Sequence, residues 1–243
     1  MFLALSQALP VYRVTGAPAP QPPVSGPLIW LDANQESFAD GDPVGQFTDR
    51  SGNGNHFTSS GTARPTFKTN RINSRSAVQA DGVDDGLLLS SLGACTDWTL
   101  FFVGKLISDP GTGQLNVVSV DDYGPDGNYI LVQYNGGSAC AINANVGAIL
   151  QTTMSVGNNF SYCVTGNATT GTQRASNNTN GSTSANYSKA AAPMRLFRRG
   201  DGLFVNYEIA ELLFYNSVLS STDRTTVWTY FNTRYGTAIP ATP

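Results

Sequence analysis

The apolar residues of this chain fall into short runs, each closed by a cluster of Gly, Asn, Asp or Ser. LIWLDA (28–33), SAVQA (76–80), GLLLS (86–90), WTLFFVGKL (98–106), QLNVVSV (114–120) and NYILVQY (128–134) are followed by ACAINANV, FSYCVTG, MRLFRR and LFVNYEIAELLFYN. Between them stand PGTGQ, YGPDGN, NGGS and SVGNN, built from residues that tolerate positive φ or bond back to nearby backbone. The runs show no helical periodicity, and their β-branched and aromatic content suits a pleated surface. The spacing therefore predicts an all-β fold of antiparallel strands, closed as a sandwich or barrel.

One segment departs from this rhythm. In LSSTDRTTVWTYFNTRYG, Ser220 precedes Asp223 by three residues as in a capping box, Val227, Tyr230, Phe231 and Arg234 follow helical spacing, and Gly236 supplies a stop. A helix over 220–235 is expected, packing Val227, Tyr230 and Phe231 on the sheets and closing a domain that spans 27–243.

Residues 1–26 read differently. GAPAPQPPVSGP denies backbone donors and favours extended geometry, so this Pro-rich arm is expected either to dock on another chain or to be disordered. MFLALSQALPVYRV lacks a positive start and is broken by Gln7 and Pro10, so neither a cleaved signal peptide nor a membrane span is expected. Only 13% of residues are charged and the net charge is −3, with no basic stripe, which excludes nucleic acid as an expected partner. The polar surface must then be mostly Ser, Thr, Asn, Gln and Gly. Cys95, Cys140 and Cys163 lack metal-ligand spacing and read as small buried hydrophobes, with a Cys140–Cys163 bridge open if their strands are neighbours.

TDRSGNGNHF (48–57) holds the only histidine, His56, close to Asp49 and Ser51. A catalytic triad within eight residues of a glycine-rich segment has no packed shell to orient it, and an Asx-type turn is the simpler expectation. Calcium is the remaining alternative, since Asp49, Asn53, Asn55, Asp81, Asp84 and Asp85 offer the oxygens that such an ion takes. Turn-forming Asx residues without metal are the expectation; calcium stays open.

These segments carry a resemblance. LIWLDA, DRSGNGNHF and RPTFKTNRINSRSAVQADGVDDGLLL, with Ala80-Asp81-Gly82-Val83-Asp84-Asp85 at a strand entry, resemble the start of a laminin-G-like domain of the concanavalin A-like lectin and glucanase superfamily. YEIAELLFYNSVLSSTDRTTVWTYFNTRYG resembles its closing strand and helix, so that the likeness covers roughly residues 27 to 236. The resemblance implies a two-sheet antiparallel jelly-roll sandwich with one short C-terminal helix, and related domains hold calcium at a sheet rim.

Laminarinase-like members of that superfamily place two acids at alternate positions of one strand, where both reach the groove. Here Glu208 and Glu211 are three apart, and period two is expected to send them to opposite faces; the remaining glutamate, Glu36, lies in a loop. The chain is therefore expected not to be an enzyme. Trp30, Trp98 and Trp228 sit in apolar patterns and read as core. Sugar contacts are expected instead from loop residues, Asp121, Asp122, Tyr123, Asp126 and Asn128, and Asn177, Asn178, Asn180 and Tyr187, each with an ordinary turn explanation beside it. The sequons at Asn159, Asn167, Asn177, Asn180 and Asn186 reflect composition. Together these features look like a bacteriophage virion component, a capsid decoration or tail-fibre protein joined to other virion proteins through residues 1–26, with homo-oligomers and a surface glycan as further partners. A free secreted lectin is the alternative.

Overall fold

The computed structural model describes residues 21–109, 114–120, 130–135, 139–144, 148–177, 180–184, 188, 190–200 and 202–238. In chain order the strands are β1 (Ile29–Asp32), β2 (Gln46–Phe47), β3 (Phe57–Thr58), β4 (Thr66–Ile72), β5 (Arg75–Gln79), β6 (Leu87–Leu92), β7 (Trp98–Leu106) and β8 (Gln114–Val120). They continue with β9 (Ile130–Asn135), β10 (Ala139–Ala144), β11 (Ala148–Thr153), β12 (Asn159–Gly166), β13 (Thr170–Ala175), β14 (Asn180–Ser184), β15 (Ala192–Leu196) and β16 (Tyr207–Tyr215), before helix α1 (Ser221–Tyr235).

The strands form two antiparallel sheets. The first runs β14-β13-β12-β7-β16-β5-β4, with β1 also paired to β16; the second runs β11-β10-β9-β8-β15-β6-β3-β2. Between them lies the main core, including Ile29, Leu31, Phe47, Phe57, Trp98, Phe102, Tyr162, Leu196, Tyr207, Ile209, Leu212 and Phe214. The all-β sandwich with one C-terminal helix is thus the architecture observed. All three tryptophans are buried. Among the described residues no helix is long and apolar enough to cross a membrane.

Helix α1 covers the outer face of the first sheet. Ser220 caps it by accepting from the Asp223 amide, and Gly236 ends it in the left-handed region at φ 66°, where a side chain would be strained. Val227, Trp228, Phe231 and Tyr235 pack on Trp30, Phe101, Val103, Cys163, Ala210, Leu213 and Tyr215, while Tyr230 is half-buried at the margin. Trp228 and Tyr235 complete the helix face expected from Val227, Tyr230 and Phe231.

Strands β4, β11, β13 and β14 escape the apolar-run pattern because they are rich in Thr, Asn and Gln. β14 lies in the stretch expected as a loop; its backbone pairs with β13 from Arg174↔Asn180 to Thr170↔Ser184. Cys140 and Cys163 belong to different sheets, and Cys163 is free and buried, so the neighbouring-strand condition for a bridge fails. Burial pushes the Cys163 thiol up to about 12 and that of Cys95, also free, up to about 11.

Candidate functional site

The turn at 48–57 binds the chain to itself. Asp49 Oδ1 accepts from the amides of Trp30 and Ser51, each at 2.9 Å, and Oδ2 from the Asn55 amide at 2.9 Å and the Ser51 hydroxyl at 2.8 Å. The side-chain amides of Asn53 and Asn55 donate to the Leu28 carbonyl at 3.1 and 2.9 Å. His56 Nδ1 accepts from the Asp49 backbone amide at 3.0 Å, so it meets the backbone of Asp49 and not its carboxylate. The stretch works as an Asx clamp on the start of β1, with Gly52 and Gly54 at φ 91° and 76°.

The two strand glutamates depart from expectation. The pairing of β16 with β7 shifts between Ile209↔Gly104 and Glu211↔Val103, leaving Ala210 as the extra residue of a bulge. That one residue resets the alternation, and Glu208 and Glu211 both lie on the outer face, Glu211 under α1. Each is fully buried. Glu208 pairs with Arg71 and with Lys105, the latter at 3.4 Å. Glu211 accepts from Trp30 Nε1 at 2.9 Å, from the Tyr235 hydroxyl at 2.6 Å and from the Tyr230 hydroxyl at 3.0 Å. Arg234 bonds both Asp32 oxygens at 3.0 and 2.8 Å and lies 3.4 Å from Glu211. One guanidinium therefore serves two buried carboxylates, beneath a helix that a substrate would have to displace.

Burial, and next the charge of Asp32, pushes the Glu211 carboxyl up to about 7 against the opposing pull of Arg234, Tyr235 and Trp30. The folded state thus holds this proton where the unfolded chain, near 4.5, releases it. The contribution is fully present below pH 4.5 and is lost as pH rises through about 7. It amounts to on the order of 3 kcal/mol. Urea melts from pH 4.5 to 8 should show wild-type stability falling relative to Glu211→Gln across this window; parallel profiles would remove Glu211 as the cause.

A second acidic group lies at the entry to β6. The carboxylates of Asp81, Asp84 and Asp85 each offer an oxygen within 4.8 Å of the others. Asp85 is buried, and desolvation, helped by the charges of Asp81 and Asp84, pushes its carboxyl up to about 6. Asp85 Oδ2 accepts from the Asp81 amide, Asp81 Oδ1 from the Val83 amide, and Asp84 Oδ2 from the Thr62 hydroxyl. Three carboxylates fit a divalent cation in kind, but calcium takes six to eight oxygens, so water would have to supply the remainder. Asp49 stands outside this group, and Asn53 and Asn55 hold β1.

Of the residues expected from the sequence to contact a sugar, Asp121, Asp122, Tyr123, Asp126, Asn128, Asn178 and Tyr187 lie outside the described residues. The chain leaves β8 toward 121–129 at the end opposite the acidic turn: β6 and β8 run parallel on either side of β15, one following that turn and the other preceding this segment. Asn180 opens β14. Asn177 is exposed and lines a cleft of about 260 Å³ with Ser155, Asn158, Asn159, Phe160, Ser176 and the segment Gly236 to Ala238. Thr237 there is 2% exposed, and its hydroxyl has no hydrogen-bond partner among the described residues. Asn158 and Asn159, within SVGNN, read in sequence only as a turn. The cleft joins segments remote in the chain, and no local pattern announces it.

No protein-family model and no curated protein matches the sequence. Solved structures do. A GH54 α-L-arabinofuranosidase soaked with a cyclic sulfate inhibitor is 13% identical, with 86% of this chain and 59% of that chain covered at a TM-score of 0.57. Trypanosoma rangeli sialidase in complex with 2,3-difluorosialic acid is 9% identical over 93% of this chain and 36% of that one, at 0.57. The botulinum neurotoxin type G receptor binding domain is 11% identical over 85% and 51%, at 0.58. The chain therefore spans between a third and three fifths of these proteins, and the likeness is one of fold.

Proposed function

We propose that this chain is a non-catalytic carbohydrate-binding module whose sugar site is the cleft formed by Ser155, Asn158, Asn159, Ser176, Asn177 and Thr237. The observation that carries the reading is the chemistry of that lining. Three amides and three hydroxyls converge on a space of about 260 Å³, with Phe160 in the wall and the Thr237 hydroxyl buried without a partner among the described residues. Neutral donors and acceptors at this density match the hydroxyls of a sugar ring. The space is smaller than the roughly 300–1,000 Å³ of sites that enclose drug-sized ligands, which favours a single terminal residue.

A non-catalytic role is supported by the position of Glu208 and Glu211, both fully buried and held in ion pairs, Glu211 beneath the helix. The sandwich is also shared with proteins whose names place them at sugars or at a receptor. We set this activity on a virion, as an attachment or decoration protein joined to other virion proteins. The charge-poor composition, with 13% of residues charged, supports that setting.

The test is a glycan array probed with the labelled full chain, beside the Asn158→Ala/Asn177→Ala double variant. Each lost neutral hydrogen bond costs about 1 kcal/mol, so binding to the best glycan should weaken at least tenfold. An empty array, or a double variant that binds as wild type, would defeat the reading.

A further inference from the structure

Helix α1 turns a row of threonines outward, Thr222, Thr225, Thr226, Thr229 and Thr233, all exposed. The last four hydroxyls donate back to their own helix, to the carbonyls of Ser221, Thr222, Thr225 and Thr229 at 2.9, 3.0, 2.9 and 2.8 Å. A threonine whose hydroxyl is bonded to the preceding turn leaves its γ-methyl as the group offered to a partner. A face that reads as polar in the sequence is therefore coated with methyls. It forms one side of a groove of about 1090 Å³ that Pro23, Arg75, Tyr230 and Arg234 complete.

The chain itself already enters this groove. Val24 packs against the apolar cluster beneath the helix, its carbonyl accepts from the Tyr215 hydroxyl at 2.9 Å, and Pro23 forms part of the wall. We propose that the groove is the docking site of the chain's own residues 1–20, with the apolar side chains of FLAL and ALPVY laid on the threonine methyls. Place, length and chemistry support the assignment. The segment ends at Pro20, three residues before Pro23 in the groove wall. Helix α1 is 15 residues long, about 22 Å, which about seven extended residues would cover. The segment carries one charged side chain, Arg13, and has no core of its own. This assignment is independent of the sugar reading, and its readout does not involve a glycan.

Arg13 is the only lysine or arginine ahead of Arg50, so trypsin cleavage after it reports how well the segment is sheltered. The experiment compares the full wild-type chain with Thr226→Glu/Thr229→Glu, which puts charge on the methyl face at exposed positions that suit a helix former. Cleavage after Arg13 is expected to be at least tenfold faster in the variant. Leu3→Glu/Leu5→Glu, which leaves the helix untouched, should accelerate it equally and covers the case of a misfolded helix variant. Equal rates in the wild type and in the segment variant would overturn the proposal. A wild-type dimer by light scattering that both variants dissolve would also overturn it, since the occupant would then be a second copy's segment.

Discussion

Arg234→Met should lower the unfolding free energy by about 3–5 kcal/mol at pH 7.5, the cost of stranding buried charge, and the melting temperature by on the order of 10 °C. Methionine keeps most of the volume of the side chain and removes the cation. Asp32, fully buried, then loses its two bonds from the guanidinium and keeps only those from the Asn34 amides and from Gln35. Glu211 keeps Trp30, Tyr230 and Tyr235 but faces Asp32 with no positive charge between them. Glu211 takes up a proton near 7 in the wild type and at higher pH once the Arg234 charge that opposes this is gone, so the deficit should shrink at pH 5, where Glu211 is neutral in both proteins. Thermal melts of both proteins at the two pH values check this. A deficit under 1 kcal/mol, or one equal at both pH values, would show that the network is not a buried charge pair.

The second large effect is expected at Gly104, in the middle of β7, paired with Ile209 on one side and Phe160 on the other. The fully buried Tyr207 ring lies across it, edge-on to Phe102 with centroids 6.3 Å apart. A Cβ at this position would overlap both the Tyr207 ring and the Glu208 carbonyl oxygen. Neither can yield, since the carbonyl belongs to the ladder and the ring fills the core. Gly104→Ala should therefore cost about 2–3 kcal/mol, and Gly104→Val more, to the point of little soluble protein. Gly93→Ala is the control, because nothing lies within 4 Å of its Cβ position and a change within about 0.5 kcal/mol is expected. Denaturant melts that rank the two alanine variants the other way would remove the steric account.

The sandwich was legible because its central strands are strongly apolar: β7 and β8 occupy the spans that WTLFFVGKL and QLNVVSV mark out. The helix was legible from its ends, Ser220 and Gly236, whose side chain and backbone do what those residue types do at caps. The turn at Asp49 was legible for the same reason, as local hydrogen bonding by Asx residues needs no tertiary information. The bulge at Ala210 was not. Nothing in YEIAELLFY marks where the period breaks; the break lies in the ladder with β7 and coincides with β16 changing partners along its other edge, from β5 at Glu208 and Ile209 to β1 from Glu211 onward. A strict alternation applied to that strand assigns its second half to the wrong face. Of the candidate site, Asn177 was named from its loop, but its cleft partners come from the β12 entry and from beyond the helix. Contacts of that kind arise only when sheets and helix are assembled.

The change of partners also has a mechanical side. Since β5 and β1 share one edge of β16 with the bulge as the seam between them, tension arriving at Val24 would be borne first there, then by the clamp of Asn53 and Asn55 on Leu28, and then by the four pairs of β1. Once those give way, the ladder of β5 on β16 is untouched, so the sandwich need not tear. What is lost is Trp30 from Glu211 and Asp32 from Arg234, which loosens the helix from below. A pull at one end of the molecule would thus be felt at α1, making β1 a sacrificial link between the segment ahead of it and the body of the sandwich.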